Sequence, residues 1–152
     1  MTMNDSSTDT FILLSVMGTT YALRSDQVQH MEMVEQVTRV PNAAPFVDGV
    51  VFSRGQVVPA VNLRARFGFE RVPYDVRTRL VVVNSKGRQV GLIVDDGREF
   101  LRLPAGAIAP PQESLAGLSS QYVEGIASLN GRLILVLNLE NLLEFSAPLV
   151  AA

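Results

Sequence analysis

The sequence contains no cysteine, which excludes disulfides and thiolate metal sites. Its one histidine, His30, leaves little for a zinc site or for general-base chemistry. Tryptophan is absent and tyrosine occurs only 3 times, poor equipment for an aromatic groove that holds a peptide or stacks bases. A dominant charge sign is missing too: 13 basic residues stand against 15 acidic ones, a formal net charge of −2. Phosphate-backbone binders draw affinity from clustered Lys and Arg, so nucleic acid is not an expected partner. No apolar run approaches the roughly 18 residues of a membrane span, and the opening MTMNDSSTDT has neither a basic start nor an apolar core. A cytoplasmic protein without direct membrane insertion is expected. Phosphate-cradling glycine motifs and a G-x-S-x-G elbow are also lacking. With no nucleophile, base and oxyanion donor at recognisable spacing, neither enzymatic activity nor a cofactor is expected.

What is present is a repeat. FVDGVVFSRGQVVPAVNLRARFGF (46–69) and YVEGIASLNGRLILVLNLENLLEF (122–145) align without a gap at a constant spacing of 76. Val47/Val123, Gly49/Gly125, Gly55/Gly131, Asn62/Asn138, Leu63/Leu139 and Phe69/Phe145 are identical between the copies. A weaker match at a spacing of 69 joins FILLSVMGTTYALRSD (11–26) to LVVVNSKGRQVGLIVD (80–95), and the change in spacing falls in the loop-like stretch Pro110 to Gln121. Each half is roughly 70 residues, near the lower limit for an independent core, so the halves are expected to share apolar surface. Structural residues should recur in both copies, whereas a residue serving a task can appear in one. Arg54 faces Asn130, and only the first copy has the arginine.

Apolar runs are short and separated by glycine-bearing turns at Met17-Gly18, Arg54-Gly55, Lys86-Gly87 and Asn130-Gly131, the punctuation of β-hairpins. Strands are expected near 11–17, 20–24, 27–37, 48–53, 56–61, 79–84, 89–94, 98–103, 124–129 and 132–137. Five per half predicts a mainly β fold of two pseudo-symmetric five-stranded barrel subdomains, since closure removes exposed edges. Asn62 and Asn138 each end a strand and are expected to cap short helices. Residues 1–10 read as a loose tail, 11–145 as one domain with subdomains near 20–75 and 76–145, and 146–152 as a C-terminal tail. Exchange of the N-terminal strand between subdomains is compatible with the pattern.

Few residues carry candidate chemistry. Asp95-Asp96-Gly97 reads as turn chemistry rather than a metal site. His30, in VQHMEMVEQV, reads as an exposed strand residue sharing a side with Val28, opposite Met31 and Met33. Arg54 lies at a hairpin tip, where a solvated turn residue is the plain reading. Phe52 beside it and Phe100 are large apolar groups fit either for a core or for a binding surface.

The stretches VTRVPNAAPFVDGVVFSRGQVVPAVNLRARFG (37–68), RLVVVNSKGRQVGLIVDDG (79–97) and YVEGIASLNGRLILVLNLENLL (122–143) resemble the CheW-like coupling proteins of bacterial chemotaxis, in order and in spacing. The resemblance runs from Phe11 to Phe145. It implies two SH3-like five-stranded barrels and an adaptor that links the cytoplasmic tip of a chemoreceptor to the regulatory domain of a CheA-type histidine kinase. Recruitment to membrane-associated receptor arrays is implied with it. By position, Arg54 matches the arginine of the family's N-x-R-G turn, and Val28, His30, Met31, Arg79 and Phe100 match the groove that receives the receptor. Phe52 stands where that turn has asparagine, His30 replaces a usual acid, and Asn62 replaces a usual aspartate. Because Phe52 and His30 alter size and charge at this surface, an adaptor of a related chemosensory pathway, such as one for twitching motility, is the alternative. A peptide-binding SH3-like module is the other. Weak self-association through barrel ends is compatible with the fold.

Overall fold

A computed structural model of the chain describes residues 8–110 and 121–144. Residues 111–120 of the loop read over Pro110 to Gln121, most of the N-terminal tail and the tail at 146–152 lie outside the described residues. The strands are β1 (Thr8–Val16), β2 (Thr19–Arg24), β3 (Val28–Met33), β4 (Val47–Ser53), β5 (Gln56–Asn62), β6 (Arg79–Ser85), β7 (Arg88–Val94), β8 (Asp96–Pro104), β9 (Ile108–Ala109), β10 (Val123–Leu129) and β11 (Arg132–Leu137). Single-turn helices α1 (Leu63–Arg66) and α2 (Leu139–Leu142) follow β5 and β11. Four hairpins turn on two residues with left-handed φ: Met17 and Gly18, Arg54 and Gly55, Lys86 and Gly87, Asn130 and Gly131. That geometry matches the right-handed twist of the flanking strands. Asn62 Oδ1 accepts from the Ala65 amide at 3.2 Å and Asn138 Oδ1 from the Asn141 amide at 3.0 Å, so both caps form as expected.

Three local expectations need revision. Thr8–Thr10 are strand, paired with Arg102–Pro104, rather than tail. The strand expected over 27–37 ends at Met33, and beyond it Thr38 makes only an isolated bridge to Val50. The two-residue β9 is too short to leave a pattern in the sequence.

The hydrogen-bonded order is β8-β1-β2-β11-β10-β9 in a six-stranded sheet and β3-β6-β7-β5-β4 in a five-stranded one. These are two open sheets, not the two closed five-stranded barrels expected. The five-stranded sheet nevertheless curls, because Ser53 on edge strand β4 reaches His30 and Glu32 on the opposite edge strand β3. Its ends meet through side chains, without a ladder.

The repeat is expressed in the pairing itself. Val47 pairs with Val61 and Gly49 with Ala60, and their counterparts Val123 with Leu137 and Gly125 with Val136 do the same, with a bulge in each pair of strands. Val28–Val83 and Met31–Val81 in one sheet correspond likewise to Gly97–Leu14 and Phe100–Ile12 in the other. Hairpin β1–β2 nonetheless joins β11 in parallel (Val136 beside Ala22), while β6–β7 joins β5 in parallel (Ala60 beside Gly91). Each repeat unit therefore lends its first hairpin to the sheet of the other, and division by sequence differs from division by sheet.

Three apolar clusters result. Phe11, Leu13, Ala22, Ala127, Ile134 and Val136 fill the concave side of the six-stranded sheet. Leu80, Val82, Val51, Val58 and Ala60 do so in the five-stranded sheet. The largest cluster lies between the sheets and draws on both, with Leu14, Leu23, Leu63, Leu92, Leu137, Leu139 and Leu142 among its members. Full burial of such a side chain contributes roughly 1.5–3 kcal/mol, so this shared layer holds the two sheets as one unit. The recurring glycine at 49 and 125 has a steric cause. A Cβ on Gly49 would lie 2.1 Å from the Thr38 carbonyl oxygen, and one on Gly125 2.4 Å from the Ile108 side chain.

Candidate functional site

Arg54 is the first of the two turn residues between β4 and β5, at φ 49°. This left-handed conformation suits Asn, the residue its counterpart Asn130 supplies, better than a long side chain. The Arg54 guanidinium has no hydrogen-bond or ion-pair partner among the described residues and stands in solvent. Next to it on β4, Phe52 is 72% exposed and pairs across the hairpin with Val57, itself 64% exposed. A cation and an apolar pair are thus displayed on one hairpin, which is how a docking surface differs from a solvated turn.

A second group gathers where β3, β6 and β8 converge. Val28 and Met31 are half-buried against the inter-sheet cluster. The space over Gly97 is so close that a Cβ there would stand 2.2 Å from Met31 Sδ and 3.1 Å from Arg79 Cγ. Arg79, at the start of β6, donates from Nη1 to the carbonyls of Val76 at 2.8 Å and Thr78 at 3.0 Å. Phe100, further along β8, is 66% exposed. It is the counterpart of Met31, so the two occupy matching places on the outer strands of the two sheets.

His30 departs from its reading as an exposed residue. Its side chain is only 11% exposed, with Nε2 2.6 Å from Glu32 Oε2 and 3.0 Å from Ser53 Oγ, and Ser53 Oγ donates to the same Glu32 oxygen at 2.6 Å. Nor does it share a side with Val28. The bulge between Val28 and His30 shifts the alternation, so Val28 and Met31 face the inter-sheet layer while His30 and Glu32 face Ser53. Glu32 and Ser53 were not singled out from sequence. The available signal was the repeat, whose counterparts at those positions are Leu101 and Leu129.

Elsewhere, polar groups brace the frame. Asp95 binds Arg64 through Nε at 2.9 Å and Nη2 at 2.7 Å and accepts from the Met17 amide at 2.8 Å, tying the tip of β1–β2 to α1. Partial burial pushes its carboxyl up, but the Arg64 hydrogen bonds and the Met17 amide outweigh this and hold it below the usual range. Asp48 accepts from Asn62, Arg71 and Tyr74, and burial followed by this bond to Asp48 raises the Tyr74 hydroxyl. These residues border an open cleft of about 670 Å³. Arg66 lies between Phe46 and Tyr122, 4.8 and 5.0 Å from their ring centres, and donates to the Leu142 carbonyl at 2.9 Å. Phe46 and Tyr122 are counterparts, as are Arg66 and Leu142, so Arg66 sits where the two repeats meet. Among the described residues no three His, Asp or Glu side chains cluster as metal ligands, and no helix is long and apolar enough to cross a membrane.

The family model for the CheW-like domain matches residues 10–147. The chain belongs to the CheW-like domain family. It is 33% identical over 133 residues to the chemotaxis protein CheW of Klebsiella aerogenes, an alignment covering 88% of this chain and 80% of that one. With the chemotaxis protein CheW of Bacillus subtilis the identity is 26% over 144 residues, 95% of this chain and 92% of the relative. The crystal structure of the scaffolding protein TtCheW from Thermoanaerobacter tengcongensis superposes with a TM-score of 0.84 at 25% identity, covering 93% of this chain and 97% of that one. The exposed Arg54 hairpin and the side chains packed over Gly97 therefore lie on a CheW-like frame.

Proposed function

We propose that this protein is a non-catalytic adaptor of chemotaxis signal transduction that couples the cytoplasmic tip of a chemoreceptor to a CheA-type histidine kinase. The observation that carries this is the match of the CheW-like family across residues 10–147, with the scaffolding protein TtCheW similar over 93% of the chain. In physical terms the adaptor turns modest contacts into one assembly, because a partner held at one surface raises the effective concentration at the other. The receptor tip lies against Val28, Met31, Arg79 and Phe100, which supply apolar burial around Gly97. Arg54 stands at the edge of that surface, where an unpaired guanidinium can bind receptor carbonyls or carboxylates. Phe52 and His30 adapt the surface to the particular receptor. The kinase regulatory domain docks at the ends of the sheets, and the protein works in the cytoplasm at receptor arrays.

Affinity capture from the native cell with tagged wild-type and Arg54→Ala proteins tests this reading. Wild type is expected to recover a chemoreceptor and a histidine kinase, and the variant to lose the receptor while keeping the kinase. Recovery of neither partner by wild type would refute the adaptor role.

A further inference from the structure

We infer that His30, Glu32 and Ser53 are positioning residues that fix the Arg54 turn against β3, and so set the affinity of the surface Arg54 serves. The inference rests on the receptor-coupling role proposed for Arg54. Three observations converge on it. The first is topological: β3 and β4 are the two edges of the five-stranded sheet and share no ladder, yet a closed triangle of side chains links them. An ionised Glu32 only accepts, so its Oε2 receives both the imidazole N–H at 2.6 Å and the Ser53 hydroxyl at 2.6 Å. The third side, 3.0 Å between His30 Nε2 and Ser53 Oγ, is then contact without a further shared proton.

The second observation is the place of Ser53. It is 4% exposed, the last residue of β4, and bonded directly to Arg54. Holding the Ser53 side chain to β3 therefore holds the start of the turn, on the strand that also carries Val28 and Met31. The third is the internal comparison. At the matching place in the six-stranded sheet, the counterparts Leu101 and Leu129 are partly buried against the apolar cluster. The fold is thus able to hold leucines at both positions against one apolar cluster, with no polar group to desolvate. A polar closure that takes an imidazole and part of a carboxylate out of water is not favoured for stability alone. It occurs in the half that carries the arginine, whereas the leucines accompany Asn130.

The test is a double-mutant cycle read as affinity for a soluble cytoplasmic-tip fragment of the chemoreceptor from the same cell, with urea midpoints recorded for each variant. Arg54→Ala, Ser53→Ala and the double variant form the cycle, and Glu32→Leu/Ser53→Leu copies the other half. Ser53→Ala is expected to weaken binding about fivefold in wild type and to have no further effect beside Arg54→Ala, since contacts that act through one another are non-additive. The leucine pair is expected to recover the affinity that Ser53→Ala loses, because closure of the edge sets the turn. Equal losses in both backgrounds, or a leucine pair as weak as Ser53→Ala, would overturn the positioning role while leaving the Arg54 reading intact. Wild-type affinity in Arg54→Ala would overturn both.

Discussion

At the scale of single residues, exposure and strain separate task from frame. Arg54 has an unpaired side chain in a left-handed turn, so in its proposed role Arg54→Ala removes a contact to the receptor and almost nothing from the fold. A urea midpoint within about 0.5 kcal/mol of wild type is expected, together with loss of receptor capture. An unfolded variant would make Arg54 structural. Gly49 is the opposite case, since the Thr38 carbonyl oxygen occupies the space of its missing side chain and its φ is 150°. Gly49→Ala should cost at least about 2 kcal/mol in equilibrium unfolding, with no route for backbone to relax cheaply. The repeat singled out both residues, one by its presence in a single copy and the other by its presence in both. It misplaced His30 because a single bulge reverses which side of β3 each residue faces, and no local pattern announces a bulge.

At the scale of elements, the caps and braces show how matching positions diverge. Asn138 only caps α2, whereas Asn62 caps α1 and also donates to Asp48 at 2.8 Å. Asn138→Ala should therefore cost about 1 kcal/mol, and Asn62→Ala about twice that because Asp48 loses a donor as well. Thermal unfolding of the two variants would check the difference, and equal costs would contradict it. The Asp95 brace gives a pH dependence of known sign. Its carboxyl is held below the ordinary value in the fold, so its contribution is complete above the unfolded value, near pH 4, and is lost as pH falls through the lower folded value. Asp95→Asn should flatten the acid limb of stability below about pH 4 and change its slope little above pH 6. Urea midpoints measured across that range would read it. The hairpins were legible from their X-Gly turns and alternating strands, and both caps from Asn before an apolar run. The closure of β3 onto β4 was not, because Glu32 and Ser53 lie 21 residues apart and neither is unusual alone.

At the scale of the whole molecule, the exchange of hairpins governs folding. Because β1–β2 sits in the sheet of β8–β11, and β6–β7 in that of β3–β5, neither half of the chain contains a complete sheet. Fragments 1–75 and 76–152 should each lack stable structure, and their mixture should regain the circular dichroism of the intact chain. Independent folding of either would contradict the shared inter-sheet layer. The repeat made the twofold kinship readable. Of the exchange, only that of the N-terminal strand was foreseen as compatible with the pattern, since parallel pairing of β2 with β11 joins residues more than 100 apart and leaves no local trace. Coupling is the property that needs the whole molecule, since the proposed partner surfaces are carried by one unit. Its most direct measurement is kinase autophosphorylation in membranes reconstituted with chemoreceptor and histidine kinase, with and without this protein. The account predicts that wild type raises kinase activity and places it under receptor control, while Arg54→Ala leaves it at the level of kinase alone. Kinase activity indifferent to the wild-type protein would contradict the account.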